Sequence, residues 1–186
     1  MFKPVCAFFN TKTKIAAAVA GILPAAAICI WFGLSSNKAE RAAAEVINIA
    51  ADVHKLYAHK ASYWTLSSDS LRSNDILTNY VYKNNQLVNA LGKPVLIGKG
   101  EDGNVVMPGE KSFDVVYTDL SAKECIAVAA YQYQQQEILG LLQITIIGKE
   151  KSRIFEWGAE TYKLPVTRPE AERFCSDKSK VVWTFE

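Results

Sequence analysis

The sequence is poor in groups that carry chemistry. Of 186 residues only His54 and His59 are histidine, no Gly-x-Ser-x-Gly elbow occurs, and no two of the four cysteines stand as Cys-x-x-Cys. Residues five apart on a helix point about 140° from one another, so His54 and His59 cannot form the i, i+4 pair of a zinc protease. Neither has a sequence context suggesting a base for a serine or cysteine nucleophile. The net charge is +2, without the clustered basic face that nucleic acid requires. These deficits point away from an enzyme, a resident metal or cofactor, and a nucleic-acid partner.

Two glycine-containing stretches are weak motifs. Gly92, Lys93 and Pro94 through Gly98, Lys99 and Gly100 are spaced one residue too widely for a phosphate loop, Pro94 lacks an N–H, and Gly100 stands where Ser or Thr would hold magnesium. Glu101, Asp102 and Asn104 around Gly103 lack the twelve-residue calcium loop. Both are expected to be turns.

What the chain does have is a long uncharged run. Residues 15–34 contain no charged side chain, and about twenty helical residues at 1.5 Å each cross a hydrocarbon core of roughly 30 Å. Lys3, Lys12 and Lys14 precede the run, Phe8 and Phe9 lie before it, and Trp31 and Phe32 close it. Basic residues on the N-terminal side and interfacial aromatics favour a retained anchor with a cytoplasmic leader. A secretory signal cut after Ser35 is the main rival, although such apolar regions usually span about 7–15 residues; a buried core helix is the third reading. The first two place the remainder outside the cytoplasm. Pro24 is expected to loosen or kink the helix. The small residues Ala16, Ala17, Ala20 and Gly21 permit close approach of a neighbouring helix.

Beyond the anchor roughly 150 residues remain, enough for one ordinary domain. The organisation expected is a leader at 1–14, a transmembrane helix at 15–34, its amphipathic continuation at 35–61 and a globular domain at 62–186. Within 39–60 the apolar residues Val46, Ile49, Ala50, Val53, Leu56 and Tyr57 recur at three- and four-residue spacing against Arg41, Glu45, Asn48, Asp52 and Lys55. Ser67, Ser68 and Asp69 introduce a short helix carrying Leu71, Ile76 and Leu77. Residues 83–85 look like a loop. Short apolar runs at 95–97, 105–107 and 113–117 read as antiparallel strands. Ser121 and Glu124 form a capping box for a helix continuing over 126–133. Residues 138–147 and 153–157 form a hairpin, and Thr167, Pro169 and Glu170 start a last helix that carries Cys175. A terminal strand follows at 181–185.

The fold class is therefore α+β, a long N-terminal helix packed on an antiparallel sheet. Cys6 lies in the leader and Cys29 in the apolar run, leaving Cys125 and Cys175 as the natural disulfide in an oxidising compartment. Tyr131 and Tyr133, interleaved with glutamines through Gln136, form either a contact surface for sugar or a neighbouring subunit, or a solvated helix end.

In this order the parts resemble a type IV pilin of the type IVb branch. The anchor and amphipathic helix ending in Leu56 and Tyr57, followed by a turn with Tyr63, resemble that family's spine. Leu87, Val88, Asn89, Ala90, Leu91 and Gly92 resemble its Asn-x-x-Gly approach to the first strand. Residues 117–125 resemble the segment leading to its first disulfide cysteine, and residues 169–175 followed by 181–185 resemble the second cysteine and closing strand. The resemblance covers most of residues 15–186.

It implies a single-pass protein of the inner membrane with the N-terminus cytoplasmic and the domain periplasmic or carried into an extracellular pilus. Partners would be other pilin subunits, inner-membrane assembly proteins and lipid. One departure stands out. The family carries a glycine at the leader cleavage point and a glutamate five residues into the apolar segment, whereas here no glycine precedes Ile15 and no acidic residue precedes Glu40. The departure implies a minor or accessory subunit. A membrane-anchored binding or assembly module outside the filament is the alternative.

Overall fold

The computed structural model describes residues 19–73, 80–133 and 140–186, with side chains described from Lys38 onward. The chain divides into two units, Met1–Leu34 and Ser35–Glu186. Of the first, the backbone of residues 19–34 is helical. Among the described residues no helix is long and apolar enough to cross a membrane. Ala16 and Ala17 lie outside the described residues; Ala20, Gly21 and Pro24 belong to helix α1 (Val19–Tyr57), whose assignment runs through Pro24 without a break.

In the second unit the periodic apolar positions of α1 become the core. Ala42, Ala43, Val46, Ile49, Ala50, Val53 and Tyr57 are buried, while Arg41, Asn48 and Lys55 are exposed. The helix stops at Tyr57, its last buried anchor; the Lys60 N–H bonds the Tyr57 carbonyl, and the Lys60 ammonium sits 4.3 Å from the Tyr57 ring centre. Three residues of the expected helix thus form a turn instead.

Helix α2 (Ser68–Ser73) and a two-stranded hairpin, β1 (Val81–Lys83) with β2 (Gln86–Val88), follow. The loop expected at 83–85 is the hairpin's turn. Asn84 and Asn85 have φ of 51° and 66°, the left-handed conformation that asparagine tolerates and a tight two-residue hairpin needs.

The main sheet is antiparallel and five-stranded, ordered β3 (Val95–Gly98), β4 (Phe113–Leu120), β7 (Ser179–Phe185), β5 (Leu141–Ile147), β6 (Ser152–Glu156). Strand alternation and register align Phe113, Val115 and Tyr117 with Phe185, Trp183 and Val181, then with Ile144, Ile146 and Phe155, on one face. Helix α1 covers this face, with the Tyr117 hydroxyl donating to the Ala42 carbonyl at 2.7 Å. Helices α3 (Ala122–Ala129) and α4 (Arg168–Phe174) pack on it too, and Phe174 meets Phe155 edge-on.

The opposite face is closed at its centre by the loop after β3. The Gly100 N–H donates to buried Asp114, which also accepts from Thr184 at 2.6 Å, and Lys180 bridges to Asp102 at 3.0 Å and Glu101 at 3.4 Å. Val116, on the same face as Asp114, is buried. Glu101 and Asp102 thus serve an ion pair.

The strand expected at 105–107 is absent. Those residues form an irregular strip bonded through Val106 to Thr65 and Leu66, because only Val106 finds a core site while Val105 and Met107 stay exposed. Helix α3 ends at Ala129, four residues short of the expected boundary. Beyond Ala130 the chain turns so that Tyr133 enters the core and bonds back to Val128.

Candidate functional site

The local chemistry of each functional segment follows from its sequence. Ser121 caps α3 by accepting from the Glu124 N–H, and the Glu124 carboxylate accepts from the Ser121 N–H at 2.8 Å. Thr167 and Glu170 form the equivalent box on α4, with Pro169 inside the first turn. Fixed in this way, the two helices bring Cys125 and Cys175 to a Cα separation of 5.7 Å, and the disulfide between them closes a separation of 50 residues. Cys125 is fully buried; Cys175 caps the end of α4 rather than lying within it.

The Asn-x-x-Gly segment is an asparagine-organised turn. Asn89 Oδ1 accepts from the N–H groups of Leu91 and Lys93, both at 3.0 Å, while its own N–H donates to the Lys93 carbonyl. Gly92 takes φ 73°, which an L side chain rarely adopts. The turn delivers β2 to β3 through the Val88 and Pro94 bridge.

Two acidic residues of α1 hold this region. Glu45 accepts from the Ala90 N–H at 2.8 Å, and Asp52, two turns further along the same side, accepts from the Tyr80 hydroxyl at 3.0 Å. Burial raises the Glu45 carboxyl above its ordinary value, opposed by the Ala90 hydrogen bond and by Arg41. Burial, then the neighbouring Asp52 charge, pushes the Tyr80 phenol far above its ordinary range. The helical pattern places Glu45 and Asp52 on the polar side; their reach across to the turn is not legible in that pattern.

His54 Nδ1 lies 3.0 Å from the Tyr63 hydroxyl, and its ring meets Phe113 edge-on in an aromatic group where α1 ends. His59 is exposed. Of the two tyrosines expected to form a contact surface, Tyr133 is only 3% exposed, donates to the Val128 carbonyl at 2.9 Å and packs against Trp183. It belongs to the core, which corrects that expectation. Tyr131 is half-buried against Tyr133, and Gln134–Gln136 lie outside the described residues.

The family described as Bundlin matches residues 34–183, nearly all of the second unit. The chain belongs to the bundlin family of type IVb pilins. Among solved structures it is similar to a type IV b pilin from Salmonella typhi, at 11% identity over 81% of this chain and 97% of that one, with a TM-score of 0.48. It is likewise similar to TcpA, a type IV pilin from Vibrio cholerae El Tor biotype, at 12% identity over 81% and 98% of the two chains, with a TM-score of 0.49. No curated protein matches the sequence significantly. Family membership makes the chain a pilin subunit, a structural protein that assembles into a pilus with other pilins. In this pilin the elements under the matched region are the lower part of α1, the asparagine turn, the five-stranded sheet and the disulfide-linked pair α3 and α4.

Proposed function

We propose that this pilin is a minor or accessory subunit, anchored in the inner membrane by residues 15–34 with its globular unit on the periplasmic side. The observation that carries the reading is the complete lack of acidic residues before Glu40. An acidic side chain in a membrane helix is costly unless paired, so a glutamate there is a strong device for placing one subunit against the next. Without it, this subunit packs through apolar and small residues, with Ala16, Ala17, Ala20 and Gly21 allowing close helix contact. Such packing suits a subunit that starts or tips a filament more than one repeated along its length. Its neighbours are other pilins, the inner-membrane assembly proteins and lipid.

A second reading keeps the anchor but leaves the filament out, making the globular unit a membrane-tethered binding or assembly module. The test is the N-terminal sequence, mass and amount of the protein in washed membranes and in sheared filaments. A low, substoichiometric amount in filaments supports the minor subunit. Abundance equal to the main pilin overturns it, and full-length protein confined to membranes favours the tethered module.

A further inference from the structure

The two edges of the main sheet are finished differently. At β3 the Ile97 N–H donates to the Ser68 hydroxyl at 2.8 Å and Pro94 bridges to Val88, so that edge is occupied. At β6 only the last residue is covered: the Glu156 N–H donates to the Tyr162 carbonyl at 3.0 Å, and the Leu164 N–H donates to the Glu156 carbonyl at 3.1 Å. Along Ser152, Arg153 and Ile154 an open cleft of about 410 Å³ separates the strand from residues 159–162.

Strand geometry fixes which backbone groups face this cleft. Alternate residues of a strand direct their N–H and C=O groups to the same side. Because Glu156 bonds outward, Ile154 and Ser152 direct theirs outward too, while Phe155 and Arg153 pair toward Ile144 and Ile146 of β5. No other described group bonds the Ile154 N–H or carbonyl. Natural edges are guarded by charge or proline. The middle residue of this one is an isoleucine, 48% exposed.

The flanks of the edge carry positive charge on one face. On the side shared with Phe155, the Arg153 guanidinium lies 4.4 Å from the centre of the Tyr162 ring and 5.5 Å from that of Phe174, and the Arg173 guanidinium lies 5.8 Å from the same Phe174 ring. Neither arginine has an ion-pair partner among the described residues. Stacking fixes the plane of a guanidinium and leaves its N–H groups able to fork around a carboxylate. The acidic neighbours do not neutralise them. Alternation turns Glu156 to the opposite face with Ile154, and Glu160 across the cleft makes no ion pair among the described residues.

We propose that the outer edge of β6 binds an extended acidic peptide of another protein, which adds a strand at Ser152 and Ile154, sets an apolar side chain beside Ile154 and presents a carboxylate to Arg153. In strand addition the main-chain hydrogen bonds supply affinity, and side chains on alternate faces supply the choice of partner. The site uses no residue of the apolar helix, so it stands independently of the minor-subunit reading. The test uses the full chain in phosphocholine micelles. The probe is a capped eight-residue peptide of alternating valine and aspartate, titrated to about 2 mM, above the Kd on the order of 0.3 mM that suits so short a contact.

Amide NMR is expected to show saturable binding, with hydrogen exchange slowed at Ile154 and unchanged in β3. Arg153→Ala is expected to weaken binding about fivefold, and Ile154→Pro, which removes an outward N–H and no bond to β5, by at least about as much. The Arg153→Ala affinity and the Ile154 exchange rate decide the matter even where the proline variant does not fold. Absence of binding, exchange at Ile154 unaffected by the peptide, or undiminished binding to Arg153→Ala overturns the proposal. Equal or tighter binding of a valine–lysine peptide overturns it in favour of edge pairing indifferent to charge.

Discussion

The two subsidiary parts of the globular unit are fastened in opposite ways. Helices α3 and α4 are capped by paired Ser/Thr and Glu boxes, joined by the Cys125–Cys175 bridge and seated on the central strands β7 and β4 and on β5. Helix α2 and the β1–β2 hairpin instead lean on α1 and β3 through single polar contacts: Tyr80 to Asp52, Ala90 to Glu45 and Ser68 to Ile97. Leu71 and Leu87 are their main buried apolar anchors. A covalent loop closure acts on the whole unfolded chain, whereas a half-buried hydrogen bond nets only about 1 kcal/mol. The difference assigns rigidity to one part and adjustability to the other.

The contrast can be broken or sharpened by experiment. The largest effect is expected from replacing both Cys125 and Cys175 with serine: closing a 50-residue separation is worth about 4 kcal/mol, read as a lowered urea midpoint. Ser121→Ala removes the α3 cap and is expected to cost about 1 kcal/mol in the same assay. Tyr80→Phe deletes the bond to Asp52 and is expected to cost no more than about 1 kcal/mol, while hydrogen exchange quickens selectively in β1 and β2. A Tyr80→Phe loss as large as that of the disulfide would erase the contrast.

The smallest effect concerns pH. Because burial raises the Glu45 carboxyl above its ordinary value of 4.5, the folded state holds that proton more tightly than the unfolded chain. Its contribution to stability is therefore fully present below about 4.5 and is lost as pH rises through the raised folded value. Glu45→Gln keeps an acceptor for Ala90 and removes the titration. The variant is expected to gain relative to the parent between acidic and neutral pH, checked by thermal unfolding at both.

Much of the architecture could be read before folding was considered. The apolar positions Val46, Ile49, Ala50, Val53 and Tyr57 are buried as their period requires, and the capping boxes at Ser121 and Thr167 start α3 and α4 where expected. Strands β3, β4, β5, β6 and β7 all lie on the apolar runs that suggested them. The misses share a cause. The run at 105–107 has a strand's composition, yet Val106 alone reaches the core while its neighbours face outward. Tyr133 continues a helical pattern that ends at Ala129, because its ring is buried in the core beside Trp183 and its hydroxyl bonds back to Val128. The hairpin turn at Asn84 and Asn85 carried a signal, two adjacent residues tolerant of positive φ, that reads equally well as a plain loop.

By itself the sequence determined what depends on near neighbours along the chain: the helical face of α1, the caps, the turn organised by Asn89, and the cysteine pair left for the globular unit. Tertiary structure alone decided which polar groups of α1 would hold the turn, that Tyr133 would be core, and that Arg153, Tyr162 and Phe174 would stack beside one strand edge and its cleft. The reason is physical. Caps and periodic faces are satisfied within a few residues, whereas a cleft and a buried contact exist only once segments tens of residues apart have been brought together, and no local pattern encodes that meeting.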